Sequence, residues 1–326
     1  MNIVIRADAS TKIGSGHVMR CLTIAIELRK KGHEVFFWMK ELPGDMRATV
    51  QSKGFAIITE MKKADMCIID HYDIDIEWER KIRPFVKKMV VIDDLANRKH
   101  DCDLLLDQNV VPNYEHRYDD LVPVHCVKLL GPRYLIMREE FIRERKSLPN
   151  KQGEVNRLLI FMGGSDPTSE TLKVLKALAQ QQVIKHVDVV VGNSNPHKTE
   201  IEGICMKAGY HFHCQIDYLA SLMVKADFSI GAGGSATWER CFVGLPSSST
   251  VVAENQRIST ETAEKLGVIW NLGWHEQVTV DTYKDLLWSL KGKKELLINM
   301  RNAGLKLTKQ SGGAKSWLAA ILEVTK

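Results

Sequence analysis

The chain has no long hydrophobic run, no excess of charge of one sign and no paired cysteine motif. No apolar stretch approaches the roughly 20 residues that a membrane-spanning helix needs. Its 45 Lys and Arg residues face 40 Asp and Glu residues, and these charges are interleaved along 326 residues. A nucleic-acid-binding tail is therefore not predicted. The seven cysteines form no C-x-x-C pair, and an odd number cannot complete a disulfide framework.

The first residues also lack the features of a secretion signal. Residues 1–6 read as a short apolar strand, without a basic region, a long apolar region or a small-residue cleavage site. We therefore expect a cytoplasmic protein. The composition, 44% hydrophobic and 26% charged, is typical of a globular chain and excludes a disordered or collagen-like one.

Short apolar, β-branched runs alternate with helical patterns, the order expected of βα units and parallel sheets. A charged, turn-prone stretch near 143–153 interrupts the alternation. We predict two α/β domains, 1–148 and 154–326, with the last helix free to pack back on the first domain. The predicted strands lie near 2–6, 34–39, 56–59, 66–70, 89–93, 103–107, 157–162, 187–191, 227–231 and 248–252.

A polar, glycine-containing loop joins the first predicted strand to the first predicted helix. It carries Asp8, Gly14, Gly16 and His17, and its two glycines allow a sharp turn or a close approach to a ligand. His17 falls at the helix N-terminus, where the helix dipole disfavours the imidazolium cation and favours a neutral base. Asp8 is expected to orient the His17 ring by accepting its second N–H. A surface histidine that only caps the turn is the alternative.

Two further glycine-rich turns, 162–167 and 231–236, follow predicted strands and open predicted helices. Backbone N–H groups at such turns bind anions, and a pair facing one cleft suits a diphosphate. A tight turn without a ligand is the alternative for each. The second turn also matches the relaxed dinucleotide pattern G-x-G-x-x-A, so a dehydrogenase is conceivable. The residues expected to bind the anion are Gly164, Ser165, Gly234 and Ser235.

Polar residues beyond the second turn suit the rest of a nucleotide. Glu239 lies about one helical turn in, from where a carboxylate can reach a ribose diol. Asn255 and Gln256 follow the next predicted strand, and their amides can donate to sugar hydroxyls or phosphate. The segment Pro-Ser-Ser-Ser-Thr at 246–250, which overlaps that strand, is more polar than a buried parallel strand is expected to be.

Several motifs, in order along residues 1–260, together resemble the UDP-2,4-diacetamido-2,4,6-trideoxy-β-L-altropyranose hydrolases of pseudaminic acid biosynthesis. The longest is R-x-D-x-S-x-x-I-G-x-G-H-x-x-R at 6–20. The last 60 or so residues contribute no matching motif. The other matching segments are 69–72, 92–95, 100–109, 131–134, 162–167, 231–240, 244–246 and 254–256.

This resemblance implies a GT-B fold: two Rossmann-like domains with an interdomain cleft, similar to the peptidoglycan N-acetylglucosaminyltransferase, and UDP on the C-terminal domain. It implies removal of UDP by hydrolysis at the anomeric carbon, with inversion and without a metal or cofactor. By the same resemblance, His17 is the base and Tyr72 and Asn255 line the cleft. Glu239 is implied to contact the nucleoside. A single base agrees with inversion, because one water attacks opposite the leaving diphosphate.

Three functions stay open at this point: a nucleotide-sugar hydrolase, a GT-B glycosyltransferase with an acceptor, and a nucleotide-sugar binder without turnover. The D-x-D sequences at 73–75 and 101–103 imitate metal-dependent sugar transferases, and His211 and His213 imitate zinc ligands. A helix N-cap at Asp75 and a plain strand around 211–214 are the favoured interpretations. We expect a monomer that binds a UDP-sugar and neither metal, nucleic acid nor membrane.

Overall fold

The computed structural model describes residues 1–181, 184–309 and 316–324. The chain forms two compact units, 1–137 with the C-terminal segment, and 138–309. Each unit is built on one parallel sheet, so the predicted pair of α/β domains is confirmed. Among the described residues, no helix combines the length and the hydropathy that crossing a membrane would require.

The first unit has a seven-stranded parallel sheet. Its strands are β1 (Asn2–Ala7), β2 (Glu34–Trp38), β3 (Ala56–Ile58), β4 (Ala64–Asp70), β5 (Val86–Ile92), β6 (Leu104–Asp107) and β7 (Val127–Leu130). They are ordered β3-β2-β1-β4-β5-β6-β7. The helices connecting them are α1 (Gly16–Lys30), α2 (Arg47–Ser52) and α3 (Ile76–Ile82).

Alternating side chains fill both faces of this sheet. Ile3 and Ile5 of β1 belong to a core that also contains the buried side of α1, whereas Cys67 and Ile69 of β4 belong to the core on the other side. Strands buried on both faces read as continuous apolar runs, which is why the sequence predicted them. The C-terminal helix (Ser316–Glu323) completes the first core with Trp317, which is fully buried.

The second unit has a six-stranded parallel sheet. Its strands are β8 (Arg157–Phe161), β9 (His186–Val191), β10 (His211–Cys214), β11 (Phe228–Ala232), β12 (Ser247–Val251) and β13 (Trp270–Trp274). They are ordered β10-β9-β8-β11-β12-β13. The helices are α4 (Glu139–Arg145), α5 (Glu170–Ala179), α6 (Lys198–Ala208), α7 (Leu219–Lys225), α8 (Ala236–Phe242), α9 (Arg257–Lys265), α10 (Val280–Ser289) and α11 (Lys294–Leu307).

The division between the units falls after Met137, before the linker that the sequence suggested. Helix α4 belongs to the second unit because Arg145 donates to the backbone carbonyl oxygens of Phe242 and Leu305. The edge strands β7 and β13 were not predicted. Every residue of β13 is only partly buried, so it lacks the apolar run by which the central strands were found.

Candidate functional site

Buried charged side chains gather at the carboxyl-terminal edge of the first sheet. β1 ends immediately before Asp8, and β4 ends with Asp70. Parallel strands bring their carboxyl ends to one edge, where α/β proteins bind their ligands. His17, the second residue of α1, lies at this edge and is 7% exposed.

His17 is held by Asp70 and by an aromatic ring. Its Nδ1 lies 2.5 Å from Oδ1 of Asp70. The Tyr72 ring meets the imidazole edge-on, with centroids 4.4 Å apart and planes at 84°. The structure therefore brings together His17 and Tyr72, and it adds Asp70, which the sequence analysis did not select. A carboxylate that ends a buried strand was the signal that could have identified it.

Arg20 fixes the Asp70 carboxylate. Its Nε donates to Oδ2 and its Nη2 to Oδ1, both at 2.8 Å, and Asp70 is fully buried. Burial alone would raise the pKa of Asp70, but the positive charge of Arg20 and the hydrogen bonds from Arg20 and His17 hold it well below its usual range. Asp70 is consequently an ionised carboxylate that accepts hydrogen bonds only.

Asp8 does not take the expected place beside Nδ1 of His17, which Asp70 occupies. Arg6, two residues earlier and on β1, donates to both carboxylate oxygens of Asp8 at 2.7 Å. Asp8 also lies 3.1 Å from Nε2 of His71, whose Nδ1 accepts from the backbone N–H of Asp73. Nε2 of His71 therefore carries the proton, and Asp8 anchors the loop that contains Tyr72 rather than His17 itself.

The two glycines before His17 have different roles in the backbone. Gly14 has φ of +81°, in the left-handed region, and its N–H donates to the carbonyl of Ser10 at 2.8 Å. Gly16 begins α1 without a positive φ. A Cβ added at either glycine would meet nothing within 4 Å, so a ligand has room at both positions. Their contact with a ligand stays a prediction.

The glycine-rich turn after β11 lies against the segment after β12. A Cβ added at Gly233 would overlap Oγ1 of Thr260, and one at Gly234 would lie 3.5 Å from Nε2 of Gln256. Oε1 of Gln256 accepts from the backbone N–H of Val252 at 3.1 Å, which fixes the orientation of its amide. Two of the predicted nucleotide-binding residues, Gly234 and Gln256, are therefore adjacent, and glycine is required at 233 by packing.

A fully buried arginine supports the same turn and explains the polar strand. Nη2 of Arg240 donates to the carbonyl of Ala232 and to Oγ of Ser249, and its Nε donates to Oγ of Ser247. Burial lowers the pKa of Arg240 to about 10, so it is still a cation at neutral pH. Ser247 and Ser249 of β12 are buried as hydrogen-bond acceptors for this cation, which explains why these two positions of the strand are not apolar.

Glu239 and Asn255 lie on different elements of the second unit. Oε1 of Glu239 accepts from Nε and Nη2 of Arg138 at 3.2 and 3.1 Å, and Arg138 also pairs with Glu140. The carboxylate is therefore oriented, while its side chain is 19% exposed. Asn255 lies in the single turn before α9 and is exposed. Ser235 directly precedes α8.

The turn at 162–167 differs from the expectation. Helix α5 begins only at Glu170, and the carboxylate of Asp166 accepts from the N–H groups of Glu170 and Thr171 at 2.9 Å. The first N–H groups of this helix already have an anionic partner, and Gly164 and Ser165 precede it by several residues. The helix-dipole argument for these two residues does not hold, and their contact with a diphosphate stays a prediction.

Residues of the two D-x-D sequences and of the His211–His213 pair make hydrogen bonds and ion pairs with other protein groups. Asp75 caps α3 by accepting from the N–H of Trp78 at 3.0 Å, as expected. Asp103 pairs with Arg83, and His213 of β10 lies 3.0 Å from Asp188. Over 1–181, 184–309 and 316–324, no group of three or more His, Cys, Asp or Glu side chains is arranged to hold a metal ion.

A second buried ionic cluster, which the sequence analysis missed, lies in the first unit. Nδ1 of His100 is 2.6 Å from Oε1 of Glu79, and its Nε2 is 3.9 Å from Asp93. Burial would lower the pKa of His100, but these two carboxylates raise it to about 9. Burial also raises the pKa of Asp107, to about 7. Asp107 directly follows the apolar run 104–106, which was an available signal for it, whereas His100 lies among charged residues and gives no such signal.

Comparison with curated proteins gives relatives with informative names, although no protein-family model matches the chain. UDP-2,4-diacetamido-2,4,6-trideoxy-beta-L-altropyranose hydrolase of Campylobacter jejuni is 25% identical, over 82% of this chain and 97% of that protein. A Helicobacter pylori protein is named pseudaminic acid cytidylyltransferase and UDP-2,4-diacetamido-2,4,6-trideoxy-beta-L-altropyranose hydrolase. It is 25% identical over 82% of this chain and 48% of its own length. The resemblance drawn from the motifs is confirmed.

Two other relatives are also similar over most of the chain. The uncharacterized protein MJ1062 of Methanocaldococcus jannaschii is 29% identical over 76% of this chain and 54% of its own length. The spore coat polysaccharide biosynthesis protein SpsG of Bacillus subtilis is 26% identical over 96% of this chain and 95% of its own. The chain therefore spans about half the length of two of these four relatives and nearly all of the other two.

The solved structures that resemble the chain are GT-B proteins. Acinetobacter baumannii MurG matches with a TM-score of 0.68 and 14% identity, over 99% of both chains. Anabaena HepE, in complex with UDP and glucose, matches with a TM-score of 0.57 and 12% identity, again over 99% of both chains. At this identity the likeness shows the fold, two Rossmann-like domains of the GT-B type.

Proposed function

We propose that the chain hydrolyses UDP-2,4-diacetamido-2,4,6-trideoxy-β-L-altropyranose and releases UDP and the free sugar for pseudaminic acid synthesis. The observation that carries the proposal is the buried His17–Asp70 pair at the carboxyl-terminal edge of a Rossmann-like sheet. It is supported by two relatives named for this reaction, each similar over 82% of the chain.

The first unit supplies the base. A water molecule attacks the anomeric carbon from the face opposite the diphosphate and forms the new C–O bond. The bond from that carbon to the diphosphate oxygen breaks, and its electron pair leaves with UDP. His17 accepts the proton of the water, a contribution of roughly 10²–10⁴-fold for a well-placed general base. Tyr72 packs edge-on against the imidazole and limits its rotation.

The second unit binds UDP. Glu239, held by Arg138, accepts from the ribose hydroxyls. The backbone N–H groups of Gly234 and Ser235 donate to the diphosphate, and the amides of Gln256 and Asn255 donate to phosphate or sugar oxygens. Donors placed where negative charge develops on the departing UDP stabilise the transition state, so the reaction needs no metal ion.

The first test is incubation with the UDP-sugar alone. We expect stoichiometric release of UDP and, in H₂¹⁸O, incorporation of the label into the sugar and not into UDP, because the anomeric C–O bond breaks. Proton NMR at early times should show the inverted anomer. Label in the phosphate, or retention at the anomeric carbon, would contradict the mechanism.

The second test is a variant of the base. His17→Asn should lower kcat by at least about 10²-fold and leave the Kd for UDP unchanged, because the nucleotide is bound elsewhere. His116→Asn is the matched control, since the imidazole of His116 is 66% exposed. Wild-type turnover in His17→Asn would refute the assigned base.

A glycosyltransferase is the second candidate, because the structural neighbours have the GT-B fold of that class and one contains UDP and glucose. A transferase would release UDP only when a sugar, lipid or protein acceptor is added. A nucleotide-sugar binder would show UDP affinity and no release under either condition. Incubations without and with an acceptor, taken together, separate all three functions.

A further inference from the structure

We propose that Asp70 and Arg20 are positioning residues that hold the proton of neutral His17 on Nδ1, so that Nε2 is the atom that takes the proton from water. The proposal rests on the function proposed above and deepens it. Neither residue contacts the reacting atoms in this scheme, and both act through the imidazole.

Three side chains on one face of α1 converge on a single carboxylate. Residues three and four apart on a helix share a face, and His17, Arg20 and Cys21 have this spacing. All three contact Asp70: the imidazole at 2.5 Å, the guanidinium at 2.8 Å through two nitrogens, and the thiol at 3.7 Å. Asp94 approaches the outer side of Arg20 at 3.8 Å. The pattern H-x-x-R-C therefore places His17 and Arg20 on the same carboxylate, which fixes the orientation of the His17 ring.

The ionised state of Asp70 decides which ring nitrogen carries the proton. A carboxylate offers only acceptors, so Nδ1 at 2.5 Å has to be the donor. In the neutral ring Nε2 then has a lone pair and no proton. In a histidine that acts as a base, the hydrogen-bond partner of one ring nitrogen usually decides which nitrogen carries the proton.

Arg20 keeps the proton on histidine after the reaction. When Nε2 takes the proton of the attacking water, His17 becomes an imidazolium whose positive charge faces the Asp70 carboxylate. Two hydrogen bonds from Arg20 reduce the proton affinity of that carboxylate. The proton therefore stays on the ring and returns to solvent from Nε2, and Asp70 stays ionised throughout.

NMR of protein labelled with ¹⁵N-histidine tests the tautomer without any substrate. The wild-type spectrum should show the Nδ1–H tautomer for the resonance that disappears in His17→Asn. In Asp70→Asn the amide can donate to Nδ1, and the Nε2–H tautomer should appear instead. An Nε2–H tautomer in the wild type, or the same tautomer in both proteins, would overturn the proposal.

Kinetics provides the second readout. Asp70→Asn should lower kcat by about 10²-fold or more, as His17→Asn does, with KM and the Kd for UDP unchanged. Asp119→Asn is the matched control, because this surface carboxylate also pairs with a histidine, His116, and a cation, Lys128. Should Asp70→Asn fail to fold, Arg20→Lys keeps the charge and loses one of the two hydrogen bonds, and a fall in kcat of about 10-fold is expected.

The outcomes separate this proposal from the proposed function. Loss of turnover in His17→Asn with full turnover in folded Asp70→Asn or Arg20→Lys refutes the positioning role alone. No UDP release by the wild type refutes the hydrolase, while the tautomer measurement still decides whether Asp70 fixes the ring. A rise in KM with unchanged kcat in Asp70→Asn would assign this residue to binding and overturn the proposal.

Discussion

Replacing His100 with glutamine should remove a pH-dependent part of the stability of the first unit. His100 and Glu79 are both fully buried, 2.6 Å apart, with Asp93 on the other side of the ring at 3.9 Å. These carboxylates raise the pKa of the imidazole to about 9, against 6.5 for the ordinary side chain, although burial acts in the opposite direction. His100 is therefore protonated in the folded protein at neutral pH.

The direction of the pH dependence follows because the pKa of His100 is higher in the folded protein than in the unfolded chain. The folded state binds the proton more tightly, so the stabilisation is complete below pH 6.5 and is lost as the pH rises through 9. The difference between the two pKa values corresponds to roughly 3 kcal/mol at 1.36 kcal/mol per unit. By the same relation about 2 kcal/mol is left at pH 7.5 and almost none at pH 10.

Urea unfolding at about pH 6 and about pH 10, read by circular dichroism, measures this contribution. Other groups titrate in the same range, so the informative quantity is the difference between the wild type and His100→Gln. The wild type should lose about 3 kcal/mol more than the variant between the two pH values. The exposed pair His116 and Asp119 provides the control, since His116→Gln should not change the pH dependence. Equal losses in wild type and His100→Gln would refute the assigned charge state.

Two further predictions concern the nucleotide site, and a third concerns the need for a metal ion. Glu239→Ala should raise the Kd for UDP and KM while kcat largely survives, because a ribose contact is equal in the ground and transition states; an unchanged calorimetric titration would remove Glu239 from the site. Gly233→Ala should weaken UDP binding because the new Cβ overlaps Oγ1 of Thr260, whereas Gly203→Ala, with open space around it, should bind UDP normally. Turnover should persist in excess EDTA; loss of turnover with rescue by Mg²⁺ or Mn²⁺ would bring Asp73 and Asp75 back as ligands.

The order of strands and helices was within reach of the sequence because it depends on local patterns. Central parallel strands are buried on both faces and read as apolar runs, as in β1 and β4. Glycine positions such as Gly14 and the N-cap at Asp75 follow from backbone geometry, which is also local. The motif order along the first 260 residues pointed to the family whose members were then found among the relatives.

The partners of the charged residues were decided by tertiary structure. Asp8 and Asp70 both follow buried strands, and the sequence preferred Asp8 because it is closer to His17 along the chain. Only the sheet order, with β4 beside β1, brings Asp70 under α1, while Arg6 occupies Asp8. Likewise, the polar residues Ser247 and Ser249 of β12 are explained only by the buried Arg240 that donates to them in the folded chain. The spacing of hydrophobic residues is visible among neighbours in the sequence. The pairing of buried charges instead depends on which strands, distant in sequence, lie side by side in the sheet.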